Sequence, residues 1–403
     1  MKILVLNCGS SSIKFKLFDM PSNREIIQGG IEKIGLKDSF IKINTPQGEK
    51  IKIEKDIPEH TQGVKYIFKI LSNPDYGSLK SLKELDAVGH RMVHGGERFN
   101  KSVFLTQNVL EAFEACNDLA PLHNSANLKG VKAVKEILPD IPQIGVFDTA
   151  FHQTMPDFAY LYAIPYEIYE KYGVRRYGFH GTSHRYVSVK AFELLDLAKI
   201  GSKIITCHIG NGGSITAIKD GKSFDTSMGF TPLEGIMMGT RSGDIDAGAV
   251  SFIMEKEGLN TTGIMNLLNK QSGLLGISGV SSDMREVSAT LSSGNERAAL
   301  AKKIYSYRIK KYIGAFAAAM GGVDAIVFTG GVGENREEVR EAICKDMEFL
   351  GIKLDKEANN KALFGEAGII STAKSKVKVI VIPTDEELVI ANDTMSILNS
   401  EQL

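Results

Sequence analysis

The chain has 403 residues, more than one hydrophobic core usually covers, so two domains are expected. Hydrophobic residues make up 43%, enough for a sizeable interior, and 48 basic residues balance 48 acidic ones. That balance excludes the electrostatic footprint of a nucleic-acid or anionic-membrane binder, so any anion site must be local. Cys8, Cys116, Cys207 and Cys344 are scattered without a CxxC pair, as expected in a reducing compartment. After Lys2 the apolar run Ile3 to Leu6 is too short for a secretory signal, and no charge-free segment has the length to cross a bilayer. The sequence reads as a soluble, cytoplasmic protein.

Twice an apolar run breaks at Asn-x-Gly-Ser and a second apolar run follows. Ile3 to Leu6 leads through Asn7-Cys8-Gly9-Ser10-Ser11-Ser12 to Ile13–Phe18; Ile204 to Ile209 leads through Gly210-Asn211-Gly212-Gly213-Ser214 to Ile215–Ile218. Alternation predicts strand, turn, strand in each copy. Small residues let a backbone approach a ligand closely, and turn amides and hydroxyls can donate to phosphate. One copy alone would pass for an ordinary hairpin. Two copies about half a chain apart predict a duplicated nucleotide-binding fold with phosphates held between its halves.

A second echo is Asp86-Ala87-Val88 running to Gly95-Gly96, matched by Asp324-Ala325-Ile326 running to Gly330-Gly331. Each predicts a short strand opened by Asp-Ala and closed by Gly-Gly. Helical spacing is expected over 104–117, 125–138, 184–198, about Glu296 to Met320, and Glu386 to Leu398, the last as a closing helix. Ile144 to Phe147 predicts a strand ending at Asp148. Hairpins followed by helices and strands argue α/β layers in each half. No P-loop is present, because Gly221-Lys222-Ser223 has Thr at position 216, and no Rossmann or protein-kinase signature appears.

His90/His94 and His180/His184 share HxxxH spacing, which on a helix would suit zinc. Gly181 and Gly95-Gly96 interrupt both candidates, and no third ligand is evident. His180, in a loop entering a helix, is a donor that could face a transferring phosphoryl, or could simply cap. Arg91 is expected just after a strand and Arg241 in a flexible loop, Gly239-Thr240-Arg241-Ser242-Gly243-Asp244. Arginine grips carboxylate or phosphate with paired hydrogen bonds, although a single one is more often a surface ion pair. Asp148 ends a strand, where α/β proteins place functional groups. Asn7 and Glu386 could together hold Mg²⁺; alone, Glu386 and Glu387 would complement a helix dipole. Val93, Leu122, Phe179 and Pro232 lie near these groups in sequence and suit a small apolar slot, or ordinary core.

These segments together resemble the acetate kinase (acetokinase) family. Its two signatures match Ile3-to-Lys14 and Val88-to-Gly96, and further matches run from Phe147–His152 through Tyr177–His184, His208–Gly212, Met237–Asp244 and Phe328–Asn335 to Pro383–Leu388. The resemblance implies an α/β fold with duplicated actin/hexokinase-type (ribonuclease H-like) domains around a central cleft. Residues 1–150 plus about 386–403 would form the acyl-substrate and phosphate domain with its closing helix, and 151–385 the nucleotide-binding and dimerisation domain. It implies reversible phosphoryl transfer from ATP to acetate giving ADP and acetyl phosphate, with Mg²⁺ (or Mn²⁺), in a homodimer. Asn7 and Glu386 would serve the metal, Lys14 the nucleotide phosphates and Arg91 the acid. His180 and Arg241 would stabilise the transition state, and Asp148 would be the acid/base. ATP would be held by His208, Ile209, Gly210, Asn211 and Gly212, by Asp283, Met284 and Arg285, and by Gly331, Val332, Gly333, Glu334 and Asn335. Acetate is already ionised at neutral pH, with a carboxylic pKa near ~4, so charge alone argues that Asp148 orients an arginine or the metal's water rather than removing a proton. A propionate or butyrate kinase is the near alternative. An actin-like or chaperone-like ATP switch is the distant one, giving no joint role to Arg91, Arg241 and His180.

Overall fold

The alternating apolar runs of this chain pair into two sheets, one in each of two units. The computed structural model describes residues 1–401, the side chains of 118, 121, 122 and 401 excepted. One unit comprises Met1–Phe151 and Asp385–Leu403, the other His152–Thr384.

The first unit holds β1 (Lys2–Cys8), β2 (Ser12–Asp19), β3 (Arg24–Glu32), β4 (Phe40–Asn44), β5 (Lys50–Glu54), β6 (Ala87–Met92), β7 (Val103–Phe104) and β8 (Gln143–Phe147). They lie in the order β5-β4-β3-β2-β1-β6-β8-β7. β1 to β5 form an antiparallel meander, while β6 runs parallel to β1 and β8 parallel to β6. The near-continuous apolar run of β1 follows from burial on both faces. Ile3 and Val5 pack with Ile144, Val146 and, from the closing helix Glu386–Glu401, Ile390 and Ala391. Leu4 and Leu6 join Val64 and Ile67 of the helix His60–Leu71 and Val134 of the helix Pro121–Ile137.

The second unit holds β9 (Lys203–Ile209), β10 (Gly213–Lys219), β11 (Lys222–Thr226), β12 (Ala325–Thr329), β13 (Gly368–Ile369) and β14 (Lys378–Val381), ordered β11-β10-β9-β12-β14-β13. β9, β12 and β14 are parallel. The helices Gly181–Leu194 and Glu296–Met320 pack on this sheet. The order β3-β2-β1-β6-β8 in one unit is repeated as β11-β10-β9-β12-β14 in the other, the duplicated ribonuclease H-like plan.

The Asp-Ala echo has a structural cause. In the first unit the amide of Lys2 donates to Asp86 Oδ2 at 2.6 Å, and in the second the amide of Lys203 donates to Asp324 Oδ2 at 2.7 Å. Each aspartate thus caps the first strand of its unit and fixes its register against the parallel neighbour. Counting from Ile3 opposite Ala87 and Ile204 opposite Ala325, Asn7 corresponds to His208. The two Asn-x-Gly-Ser motifs are therefore out of register: Asn7 lies in a strand, Asn211 in a turn.

Several predicted elements shift. The 104–117 helix is only Gln107–Glu114, because Thr106 caps it by accepting from the Val109 amide, and Phe104 instead pairs in the edge strand β7. Helix 125–138 starts earlier, at Pro121, a residue suited to the first helical position. Helix 184–198 is Gly181–Leu194, so Gly181 begins this helix rather than interrupting it. Arg91 lies within β6, not after it. Gly330-Gly331 opens a short helix, Gly330–Asn335, where Gly95-Gly96 enters a turn. All four cysteines are free and buried. Among the described residues no helix is long and apolar enough to cross a membrane.

A Cβ placed on Gly89 would lie 2.6 Å from both Ile390 Cγ2 and Thr394 Oγ1. Gly89→Ala should lift the closing helix from β6 and destabilise the fold by about 1–3 kcal/mol, as overpacking does. Urea unfolding would show this as a lower midpoint; an unchanged midpoint would mean the helix docks elsewhere.

Candidate active site

Parallel strands carry their carboxyl ends to one edge of a sheet, where ligands of open α/β folds bind. In the first unit that edge gathers Asn7 of β1, Arg91 of β6 and Asp148, the residue after β8. Arg91 Nε donates to Asp148 Oδ1 and Oδ2 at 3.0 and 3.1 Å, and its NH2 donates to Oδ2 at 2.6 Å. Its NH1 reaches Asn7 Oδ1 only at 3.4 Å. Asp148 is buried while Arg91 is 24% exposed, so the aspartate fixes the guanidinium from behind. Burial opposes the arginine's charge, but Asp148 and then Glu386 hold it protonated above its ordinary range.

Glu386 starts the closing helix with its Oε2 buried and, among the described residues, without a hydrogen-bond partner. Burial, opposed by Arg91 and reinforced by Asp148, pushes its carboxyl up to about 7. Lys14, exposed, faces Asn7 across the β1–β2 hairpin. Val93 is buried, its amide donating to Asn127 Oδ1 at 2.9 Å. The Leu122 side chain lies outside the described residues. His90 and His94 sit on and just beyond β6; His90 Nε2 pairs with Gln143 Oε1 at 2.8 Å, and burial pulls its pKa down to about 4. Among the described residues no group of three or more His, Cys, Asp or Glu is arranged to hold a metal.

In the second unit, Gly212 in the β9–β10 turn is flanked by both expected transition-state groups. A Cβ there would lie 3.5 Å from Arg241 NH1 and 3.8 Å from His180 Nε2. His180 caps the 181–194 helix in a left-handed conformation (φ 56°), uncommon for a residue with a side chain. Its Nδ1 pairs with Ser214 Oγ at 2.9 Å, and its ring stacks on His208 at 4.3 Å between centroids. Ser214, expected in the turn with a hydroxyl for phosphate, is buried in β10 and also bonds His184 Nε2 at 2.7 Å. His184 Nδ1 meets Thr206 Oγ1 at 2.7 Å, and burial holds His184 neutral, well below its ordinary pKa. His208 Nδ1 pairs with Ser183 Oγ at 2.8 Å. Phe179 is buried, its carbonyl paired with His152 Nε2 at 2.9 Å.

The loop carrying Arg241 is packed rather than flexible. The Gly239 amide donates to Asn211 O and that of Ser242 to Leu268 O, and a Cβ on Gly239 would collide with Asn211 Oδ1. Its glycines serve close approach. Arg241 NH1 donates to Pro232 O at 3.2 Å, and burial pulls the guanidinium below its ordinary range.

Of the residues expected to hold nucleotide, Gly210, Asn211, Asp283, Met284, Arg285, Gly331, Val332 and Asn335 line one cavity of about 590 Å³. A Cβ on Gly331 would meet nothing within 4 Å, so that glycine leaves space rather than relieving a clash. Ile209 is buried, and a Cβ on Gly333 would lie 2.9 Å from Ile209 Cγ1, so these two pack on each other. Glu334 braces the turn, accepting from the Gly330 amide at 2.8 Å and the Thr384 amide at 3.2 Å. Asp283 and Arg285 pair with each other.

A profile of the acetokinase family matches residues 2–392. The chain belongs to the acetokinase family. It is a kinase. An acetate kinase of Bacteroides thetaiotaomicron is 75% identical over 398 residues, 99% of this chain and 100% of the relative. The crystal structure of Porphyromonas gingivalis acetate kinase superposes with a TM-score of 0.94 at 59% identity, covering 98% of this chain and 99% of that one. A propionate kinase from Francisella tularensis superposes with a TM-score of 0.91 at 43% identity, covering 98% and 99%. In this acetokinase, sequence reasoning missed Leu274, Ser282, Arg336 and Phe364 as lining of the cavity, and Ser183, His184 and Ser214 as the polar frame of His180 and His208. The polar frame could have been found from its repeated hydroxyl and histidine positions; Phe364 carries no motif at all.

The raised Glu386 carboxyl gives a pH signature. A carboxyl that binds its proton more tightly folded than unfolded adds stability fully present below its ordinary value of 4.5 and lost as pH rises through about 7. With chelator present, Glu386→Gln should be more stable than wild type at pH 8, and the difference should vanish near pH 4. Parallel pH–stability curves for the two proteins would contradict a buried, ionisable Glu386.

Proposed function

We propose that the chain transfers the γ-phosphoryl group of ATP to acetate, reversibly, giving ADP and acetyl phosphate by one in-line displacement. The observation that carries this reading is the guanidinium of Arg91, fixed on one edge by Asp148 and meeting, among the described residues, only Asn7 Oδ1, at 3.4 Å, on the other. That leaves a charged, oriented donor edge for a small carboxylate. Relatives named acetate kinase support acetate as the acid, and the 43%-identical propionate kinase keeps propionate as the second reading.

Bringing a carboxylate to a phosphoryl group is a problem of like charges, and catalysis of this kind is positioning plus charge compensation. Arg91 binds the acid. Arg241 and His180, beside the Gly212 turn, stabilise charge on the transferring group, and Lys14 meets the nucleotide phosphates. The nucleotide occupies the 590 Å³ cavity. Val93, Phe179 and Pro232 remain the proposed acyl-slot residues. Asp148 acts as a positioning residue: both its oxygens are committed to Arg91, and acetate needs no base.

Asn7 and Glu386 suit a hard divalent cation, because Glu386 Oε2 is buried with no hydrogen-bond partner among the described residues and both residues offer oxygen. Mg²⁺, or Mn²⁺ in its place, would be held by these two residues and would supply positive charge against phosphate oxygens. Buried free thiols in all four positions support a cytoplasmic location. A homodimer is supported by the helix Ala247–Glu257, which is rich in apolar residues yet has none buried, with Phe252 60% exposed.

A hydroxamate assay with ATP and a panel of short carboxylic acids should give acetate the highest rate. Arg91→Ala and Arg241→Ala should each lower turnover by roughly 10²–10³-fold, as loss of a charge-stabilising donor does. Asp148→Ala should not be rescued by small exogenous bases. A preference for butyrate, or near-normal turnover in both arginine variants, would sink the reading.

For the dimer, Phe252→Asp should reduce the mass measured by light scattering to that of one chain. An unchanged dimer mass would place the interface elsewhere.

A further inference from the structure

Phe364 is 86% exposed, yet it is not a loosely held surface residue. Its φ of 55° is left-handed, a conformation that a bulky aromatic adopts only where its surroundings enforce it. Two interactions do so. The Phe364 amide donates to Asn335 Oδ1 at 2.9 Å, and Ala362 O, two residues earlier, accepts from Arg340 NH2 at 3.0 Å. Arg340 is wholly buried and bonds mainly to carbonyl groups, among them Gly333 O at 2.8 Å and Glu334 O at 3.0 Å. One guanidinium therefore ties the Gly330–Asn335 turn and the segment bearing Phe364 into a single piece, with the ring at the border of the 590 Å³ cavity.

Three of the polar side chains around that cavity are already engaged within the protein. Asn335 Nδ2 donates to Gly331 O at 3.0 Å while its Oδ1 holds Phe364, and Asp283 pairs with Arg285 through both oxygens. Those bonds reduce the capacity of Asp283, Arg285 and Asn335 to read a base edge. What the border presents is an aromatic face held in place, and every nucleobase has a face that stacks on one.

We propose that Phe364 is a binding residue that stacks on the base of the nucleotide, so that this site recognises a base by its flat face rather than by its edge. The inference rests on the nucleotide reading of the cavity given above. Because the chain contains no tryptophan, Phe364→Trp places the sole tryptophan, excitable selectively over the tyrosines, at the contact. Its emission should be quenched saturably by ADP and by GDP, and not by tripolyphosphate or ribose 5-phosphate. In calorimetry, Phe364→Ala should weaken ADP binding by about tenfold or more, the range expected for one lost stacking contact. Tripolyphosphate affinity should not change. Unaltered ADP affinity in Phe364→Ala, with wild-type protein forming acetyl hydroxamate normally, would overturn the stacking role alone. Failure of wild-type protein to bind ADP at all would overturn the nucleotide reading together with it.

Discussion

Strand register is the constraint on which both units depend. In each, the first strand sits between an antiparallel hairpin partner and a parallel neighbour, and an aspartate from that neighbour's start holds its first amide. A slip of one residue would reverse every side chain on the strand. Ile3 and Val5 would then exchange faces with Leu4 and Leu6, and Asn7 would leave the side it shares with the Arg91 guanidinium. The same carboxylate that completes the sheet therefore also sets where the polar strand ends lie.

The two units use equivalent strand ends in different electrostatic ways. The first concentrates charge: Asp148 and Glu386 shift the ionisation of Arg91, and Arg91 and Asp148 shift that of Glu386. Buried charges cost free energy unless paired, and here one carboxylate is paired through both oxygens while the other has, among the described residues, no hydrogen-bond partner at one oxygen. The unpaired oxygen is the kind of local imbalance that a bound cation corrects. The second unit instead frames His180 with neutral groups. His184 is held uncharged by burial between Thr206 and Ser214, and Ser214 connects it to His180. A serine hydroxyl has one proton to share between two imidazoles, so the protonation of His180 Nδ1 is linked to the tautomer of His184.

Glycine has three separate uses around these sites. Gly89 makes room for the closing helix, and Gly239 lets the Arg241 loop lie against Asn211. Gly331 does neither, since a side chain there would meet nothing in the protein. That third use separates a cavity-lining glycine from a packing glycine, although all three look alike as letters in a glycine-rich run.

By itself the sequence determined the α/β class, the duplication, the long Glu296–Met320 helix and the family, because apolar periodicity and short motifs are local properties. It also marked Asn7, Arg91, Asp148 and Glu386 individually, each at an element end. Tertiary structure decided how they are paired: nothing in the spacing from 91 to 148 to 386 says that both oxygens of Asp148 take one edge of Arg91 while Glu386 keeps an oxygen without a partner among the described residues. It also decided that Asn7 corresponds to His208 and not to Asn211, since register is fixed by strands far away in the chain. Ser214 changed from a turn hydroxyl to a buried bridge because β10 begins at Gly213. Phe364 was invisible for the same reason. Its place beside Asn335 comes from a guanidinium 24 residues earlier in the chain, and long-range hydrogen bonds of that kind leave no periodic trace in sequence.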